Sequence, residues 1–316
     1  MRVGGDLLDE TRAFTEQLRV QLAALPAAES VPVEVTRRAR YEGRGIFPAP
    51  VFLPEARWLD ADGVRVRIVA PESPRGVYLH FHGGGWTLGA ADLQDALFAF
   101  IAEQTGLAVA SVDYRLAPEH PYPAGADDCE TVARWLLERG AAEIGAPSAF
   151  AIGGESAGAH LAVVALLRLR DRHGVTGAFG AANLFYGAYD LGGTPSRVRF
   201  TDALVITGPF MDWCTENFLP GLGTDARRDP DISPLYADLH SLPRTLFTVG
   251  TLDPLLDDSL FMAARWEAAG NEAELAVYED GVHGFNAFPI ELGRRANEAQ
   301  AAFLARVAEG SPLPVS

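Results

Sequence analysis

Ala149-Phe150-Ala151-Ile152-Gly153-Gly154-Glu155-Ser156-Ala157-Gly158 is the stretch from which the rest of the chain can be read. The run Ser148–Ile152 reads as a strand, the glycines as a turn, and Ala157–Arg170 as a long helix. Gly154-Glu155-Ser156-Ala157-Gly158 is a G-x-S-x-G pentapeptide in the strand–turn–helix setting that lifts a serine hydroxyl clear of a sheet. Small neighbours tolerate the strained backbone such a turn needs. The hydroxyl then projects at a helix N-terminus, whose dipole favours developing negative charge. Glycine, serine and alanine are common, so the pentapeptide alone is only moderately specific, and a small-residue turn is its plain structural alternative.

Outward from this point the chain alternates strand and helix. Val64, Val66 and Ile68 alternate with Arg65 and Arg67, the period of a half-exposed strand. Val77–Phe81 and Leu107–Val112 are short apolar runs suited to strands covered on both faces. Ala91–Glu103 and Ala126–Arg139 read as helices. Further on come strands near Ala181–Tyr186, Thr245–Val249 and Leu275–Tyr278, with helices at Leu255–Ala269 and Glu291–Ala308. This order predicts an α/β fold, a mainly parallel sheet with helices on both faces. An N-terminal segment precedes it and one insert breaks it. Asp6–Leu25 has helical spacing, with Leu7, Phe14, Leu18, Leu22 and Leu25 on one side, and an irregular connection rich in glycine and proline runs from Gly43 to Pro54. Gly187–Gly223 carries Phe200, Phe210, Trp213 and Phe218 without a strand pattern and suits a helical cap over the carboxyl ends of the strands.

The predicted strand Val77–Phe81 runs into His82-Gly83-Gly84-Gly85-Trp86. Three glycines leave backbone N–H groups accessible, and Gly84 and Gly85, with the N–H of Ala157, are candidate donors to an oxyanion. A flexible loop is the bland alternative, and Trp86 directly after the glycines argues against it. His80 and His82 are spaced to share one face of the strand; with no carboxylate or third histidine close in sequence, a metal is not expected.

A serine nucleophile needs a base and an acid, which in this fold follow it in chain order. His160 lies on the nucleophile helix, His173 near its end, and His240 before a strand. Only His283 follows a predicted strand, in the turn Gly281-Val282-His283-Gly284-Phe285. Asp253 emerges from the end of Thr245–Val249 in Gly250-Thr251-Leu252-Asp253-Pro254, where it could orient the imidazole, cap the next helix, or do both. Asp257 is the second choice, and Asp258 reads as solvated or capping.

Bulk composition excludes other chemistries. The 316 residues suit one large α/β domain. A formal net charge of −16, from 26 basic and 42 acidic residues, argues against a nucleic-acid partner or an anionic membrane surface. There is no lysine, so no Schiff base, P-loop or Ser-x-x-Lys pair can form. Cys129 and Cys214 are far apart and suggest neither a disulfide framework nor a zinc site. No leader pattern or bilayer-length apolar run is visible, which makes the cytoplasm the expected location. Disorder is expected only after Gly310.

Together these motifs resemble the hormone-sensitive-lipase-like family of bacterial carboxylesterases. The likeness runs from about Arg57 to the C-terminal helix. It rests on His82–Trp86, Gly154–Gly158, Asp253-Pro254-Leu255 and the block Asp113-Tyr114-Arg115-Leu116-Ala117-Pro118-Glu119-His120-Pro121-Tyr122-Pro123-Ala124. That block shows no catalytic chemistry of its own and reads as a rigid support. Many members carry aspartate where this chain has Glu155, and a glycine where it has Ala159. The resemblance implies an α/β-hydrolase fold with a mostly parallel eight-stranded sheet. It implies a cap from about residues 1–50 and 187–223, over a catalytic core of about 51–186 and 224–316. It further implies a serine carboxylester hydrolase with Ser156, Asp253 and His283 as triad, acting on a small ester with short to medium acyl chains or an aryl group, without metal or organic cofactor. Homodimers are common in the family. Trp86, Phe210, Trp213 and Phe218 are candidate pocket residues. An amide or carbamate hydrolase with the same triad is the rival enzyme. A ligand-binding protein on the same scaffold is the rival of another class, and a histidine in the expected place weighs against it.

Overall fold

The computed structural model describes residues 5–147 and 149–308; Ser148 and the segment after Gly310, where disorder is expected, lie outside the described residues. Eight strands form one sheet: β1 (Arg57–Ala61), β2 (Val64–Val69), β3 (Gly76–Phe81), β4 (Leu107–Val112), β5 (Phe150–Glu155), β6 (Ala181–Phe185), β7 (Arg244–Gly250) and β8 (Ala273–Tyr278). The helices are α1 (Gly5–Ala23), α2 (Val33–Tyr41), α3 (Asp95–Thr105), α4 (Ala124–Trp135), α5 (Ala141–Ile144), α6 (Ala157–His173), α7 (Pro195–Arg199), α8 (Gly208–Phe218), α9 (Leu256–Ala268) and α10 (Glu291–Ala308). The strand order is β1-β2-β4-β3-β5-β6-β7-β8. β2 runs antiparallel to β1 and β4, and the remaining pairs are parallel.

Strand periodicity sorts the core into two layers. Val77, Leu79 and Phe81 of β3 and Ala108, Ala110 and Val112 of β4 pack with α4, α6 and α9. Tyr78 and the alternate residues Leu107 and Val109 face α3 and α10, where they meet Phe98, Ile101, Phe303 and Leu304. A parallel sheet covered on both faces explains why these strands are apolar throughout. β2 differs from its half-exposed expectation. Arg67 is buried, because its guanidinium reaches Asp95 on α3 at 2.5 Å and the carbonyls of Leu53 and Ala56. Alternation of Arg with Val cannot tell a solvated arginine from one paired across a layer.

Residues of the N-terminal segment, Leu22 and Phe47 among them, and of the insert after β6, Ile206 and Met211 among them, line one cavity with Ser156 and His283. α1 packs Leu7 and Leu18 against Phe285, Phe288 and Ile290. The insert after β6 holds the two helices α7 and α8. α2 has no counterpart among the elements expected from sequence; it is short and arginine-rich, and none of its residues is buried. Among the described residues no helix is long and apolar enough to cross a membrane.

Candidate active site

The turn after β5 forces Ser156 to φ 56°, ψ −118°, a region costly for a residue with a side chain. Its N–H donates to the carbonyl of Phe185 at 2.9 Å, and its own carbonyl accepts from His160 one turn into α6. The glycines around it meet a packing demand. A Cβ at Gly154 would lie 2.1 Å from the carbonyl oxygen of Phe81, and one at Gly158 would lie 1.8 Å from the same atom. β3 and the start of α6 thus approach as closely as bare backbone allows.

Two loops beyond the serine meet through their backbones. A Cβ at Gly250 would fall 2.0 Å from the carbonyl oxygen of Gly281, and Leu252 N–H donates to that oxygen at 3.0 Å. This contact sets Asp253 beside His283. His283 Nδ1 lies 2.8 Å from Asp253 Oδ2, and its Nε2 lies 3.0 Å from Ser156 Oγ. With Nδ1–H donating to the carboxylate, Nε2 is left to accept from the hydroxyl. The other oxygen of Asp253 accepts from the N–H of Leu255 at 2.8 Å, so the same carboxylate also orders the entry to α9. Asp253 is wholly buried. Asp257, the second choice, instead accepts the N–H of Ser196 and takes no part in this chain of bonds. Asp258 is not solvated: it is buried and accepts from the N–H groups of Tyr189 and Asp190 and the hydroxyl of Thr194.

His82–Trp86 folds back over Ser156 with Gly84 at φ 124°, Gly85 at φ 60° and Trp86 at φ 56°. Among the described residues no backbone acceptor takes the N–H of Gly84, Gly85 or Ala157. All three residues line the same cavity as Ser156 and His283. The loop is held from several sides. The Tyr114 hydroxyl donates to the carbonyl of His82 at 2.7 Å and its ring stacks on the imidazole at 4.2 Å. The N–H of Ala117 donates to the carbonyl of Trp86, and Arg37 donates to the carbonyls of Thr87 and Ala117 while forking onto Glu119. These bonds are the physical content of the 113–124 block. Trp86 Nε1–H donates to His160 Nδ1 at 3.1 Å, and His160 Nε2–H donates to the carbonyl of Ile232. His160 is thereby a neutral strut between loop and helix, and burial pushes its pKa down to about 4. Burial also pushes His82 down to about 3. His80 finds Ser111 of β4 at 3.3 Å and Glu155 of β5 at 2.8 Å, a carboxylate neighbour that only the β3–β5 register supplies.

The cavity above these groups measures about 1340 Å³ and is walled mainly by apolar side chains, among them Leu22, Val35, Leu97, Ile206, Met211 and Phe288. Of the aromatic candidates, Trp86 and Phe210 line it. Trp213 and Phe218 do not, which corrects the sequence expectation. Phe218 is buried behind Trp86, stacked at 4.7 Å, and Trp213 packs on Phe210 from outside. Sequence reasoning also passed over Tyr186, whose ring lies 4.5 Å from that of His283 and whose hydroxyl donates to Asn286 Oδ1. Its position directly after β6, at a strand's carboxyl end, was the available signal.

Comparison with known proteins agrees with this architecture. The chain matches the profile of the alpha/beta hydrolase fold over residues 78–287. It is 35% identical over 276 residues to carboxylesterase NlhH of Mycobacterium tuberculosis, covering 84% of this chain and 85% of that protein. Among solved structures, the hyperthermophilic esterase from Pyrobaculum calidifontis superposes with a TM-score of 0.81 at 30% identity, covering 92% of this chain and 97% of the other. An esterase from the bacterial hormone-sensitive lipase family superposes with a TM-score of 0.81 at 29% identity, covering 98% and 100%. The chain belongs to the hormone-sensitive-lipase-like family of carboxylesterases within the α/β-hydrolase superfamily.

Proposed function

We propose that the protein hydrolyses carboxylic esters with short to medium acyl chains or aryl groups, through an acyl-enzyme on Ser156. The observation that carries this is the unbroken chain Ser156 Oγ–His283 Nε2–His283 Nδ1–Asp253 Oδ2, at 3.0 and 2.8 Å, at the floor of an apolar cavity. His283 takes the proton of Ser156 as the hydroxyl attacks the ester carbonyl, and Asp253 stabilises the imidazolium. The N–H groups of Gly84, Gly85 and Ala157 receive the oxyanion; prior organisation of such donors is worth roughly 3–4 kcal/mol each at the transition state. The imidazolium then protonates the leaving alcohol. Water, deprotonated by the same imidazole, releases the acid. Residues 1–50 and 187–223 act as the cap that selects the acyl chain. Two buried cysteines without a disulfide, Cys129 and Cys214, support a reducing compartment such as the cytoplasm as the place of action.

The test is a series of p-nitrophenyl esters from acetate to decanoate, run on wild type and Ser156→Ala, with matched anilides alongside. We expect kcat/KM to peak at or below about eight carbons, anilides to be far slower, and Ser156→Ala to lose on the order of 10³-fold or more in kcat. Equal rates on anilides would favour the amidase reading, and unchanged hydrolysis by Ser156→Ala would remove the assignment.

A further inference from the structure

Five arginines line the cavity: Arg19, Arg40, Arg44, Arg197 and Arg294. Four have carboxylate partners. Arg19 meets Glu16 at 3.8 Å, Arg44 meets Glu42, Arg197 meets Asp212 at 2.6 Å and Arg294 meets Glu291 at 2.6 Å. Arg40, in the last turn of α2, has neither a carboxylate nor a hydrogen-bond acceptor among the described residues. Its guanidinium rests on the ring of Phe47 at 4.8 Å, and Phe47 is itself stacked on Phe288 at 5.3 Å.

The surroundings of Arg40 place it on the oxyanion-loop side of the cavity. The groups that feel its charge are Cys214, Tyr114 and His82. Cys214 lies directly behind Gly85, where an added Cβ would sit 2.4 Å from its Sγ, and His82 begins the glycine loop. Enclosure by protein lowers the pKa of Arg40 through desolvation, while the side chain keeps partial exposure because it faces the open cavity. An ammonium can shed its proton when buried without a partner; a guanidinium stays charged and keeps five donors to satisfy. The C-terminal dipole of α2 and the face of Phe47 offset part of that cost, and neither supplies an acceptor in the plane of the fork. Glu29 shares the Cys214 neighbourhood but lies outside ion-pair distance of Arg40. A planar, unpaired fork at the wall of a substrate cavity is complementary to a carboxylate.

We infer that Arg40 is the anion-recognition point of this cavity, and that the preferred substrates are esters carrying a second, ionised carboxylate away from the scissile bond. The inference rests on the esterase reading and specifies its substrate class. The carboxylate can sit on the acyl side, as in a half-ester of a dicarboxylic acid, or on the alcohol side, as in the acetyl ester of a hydroxy acid. Water attack on either gives one more carboxylate, an alcohol and a proton, so the chemistry at Ser156 is unchanged. Free acid and alcohol products make the natural neighbours of this step an acyl transfer that builds such esters and a reaction that consumes the released dicarboxylate or hydroxy acid.

The experiment compares kcat/KM within isosteric sets by proton release: monomethyl adipate against methyl hexanoate for the acyl side, and 4-acetoxybutanoate against butyl acetate for the alcohol side. A cationic ester, acetylcholine, serves as the opposite-charge control. Wild type is expected to favour the anionic member of at least one set by roughly ten- to a hundredfold, the range of a hydrogen bond to a charged group. Arg40→Gln should collapse that ratio towards one, mainly through KM, and Arg40→Lys should restore part of it. Labelling of Ser156 by a neutral phosphonate ester reports whether the Arg40→Gln variant still assembles its active site. Should that variant fail to fold, wild type still decides, through its anionic-to-neutral ratio and through competitive inhibition by adipate. Preference for the neutral or cationic ester in wild type, or a ratio unmoved by Arg40→Gln, overturns the inference. Loss of all hydrolysis, neutral esters included, would count against the esterase reading itself.

Discussion

A methyl group on Gly158 would have to occupy space 1.8 Å from the Phe81 carbonyl oxygen, and backbone on both sides leaves little room to yield. Gly158→Ala is therefore expected to destabilise the fold by about 3 kcal/mol or more, beyond ordinary overpacking. Urea denaturation measures it, and an unchanged midpoint would mean β3 and α6 are further apart than described. This explains the pentapeptide more fully than turn strain does. Ser156 alone takes the unfavourable φ, while the flanking glycines answer to the approach of β3. Ser156, Asp253 and His283 were legible because each follows a strand in the local pattern, and strand ends share one edge of a parallel sheet. Arg40 and Tyr186 were not. What matters about Arg40 is the absence of a partner, which depends on every other side chain around the cavity.

At the scale of elements, α9 is coupled to the insert through one carboxylate. Asp258 accepts three bonds from residues 189–194, and burial still raises its pKa to about 7. The folded protein thus keeps a proton that the unfolded chain has lost above about pH 4. The stabilisation is whole below that pH and fades as pH rises through 7. Asp258→Asn, neutral at every pH, should remove this dependence. Wild-type stability relative to the variant is expected to drop by roughly 1–3 kcal/mol between pH 4.5 and pH 8, read from urea midpoints. A constant difference would show that Asp258 stays ionised. His82 and His160 act in the opposite sense, since their lowered pKa values give stability that is whole above about pH 6.5 and lost as pH falls towards 4 and 3. From sequence alone Asp258 reads as solvated or capping. Adjacent acids at a helix start look alike until the tertiary partners are known.

For the whole molecule, the α/β order from β2 onward could be read because doubly covered strands and amphipathic helices have distinct periods. The N-terminal segment and the insert after β6 could be located only as breaks in the alternation, and α2, nine residues with three arginines, matched neither period clearly. Yet α1 and α2 wall one side of the cavity, through Leu22, Val35 and Arg40. A variant lacking residues 1–25, which keeps Arg37 and its bonds to the oxyanion loop, should lose at least about tenfold in kcat/KM on a hexanoate ester and less on an acetate ester, since longer chains depend more on the missing apolar wall. Equal losses would place the segment outside substrate binding.

Every proposed step depends on Ser156 acting as a nucleophile driven by His283. Covalent labelling with a fluorophosphonate, followed by intact mass and peptide mapping, tests it most directly. One phosphonyl group per wild-type chain is expected on Ser156, none there in Ser156→Ala, and labelling slowed by on the order of 10³-fold in His283→Ala. An unmodified wild-type chain, or a label on another residue, would contradict it.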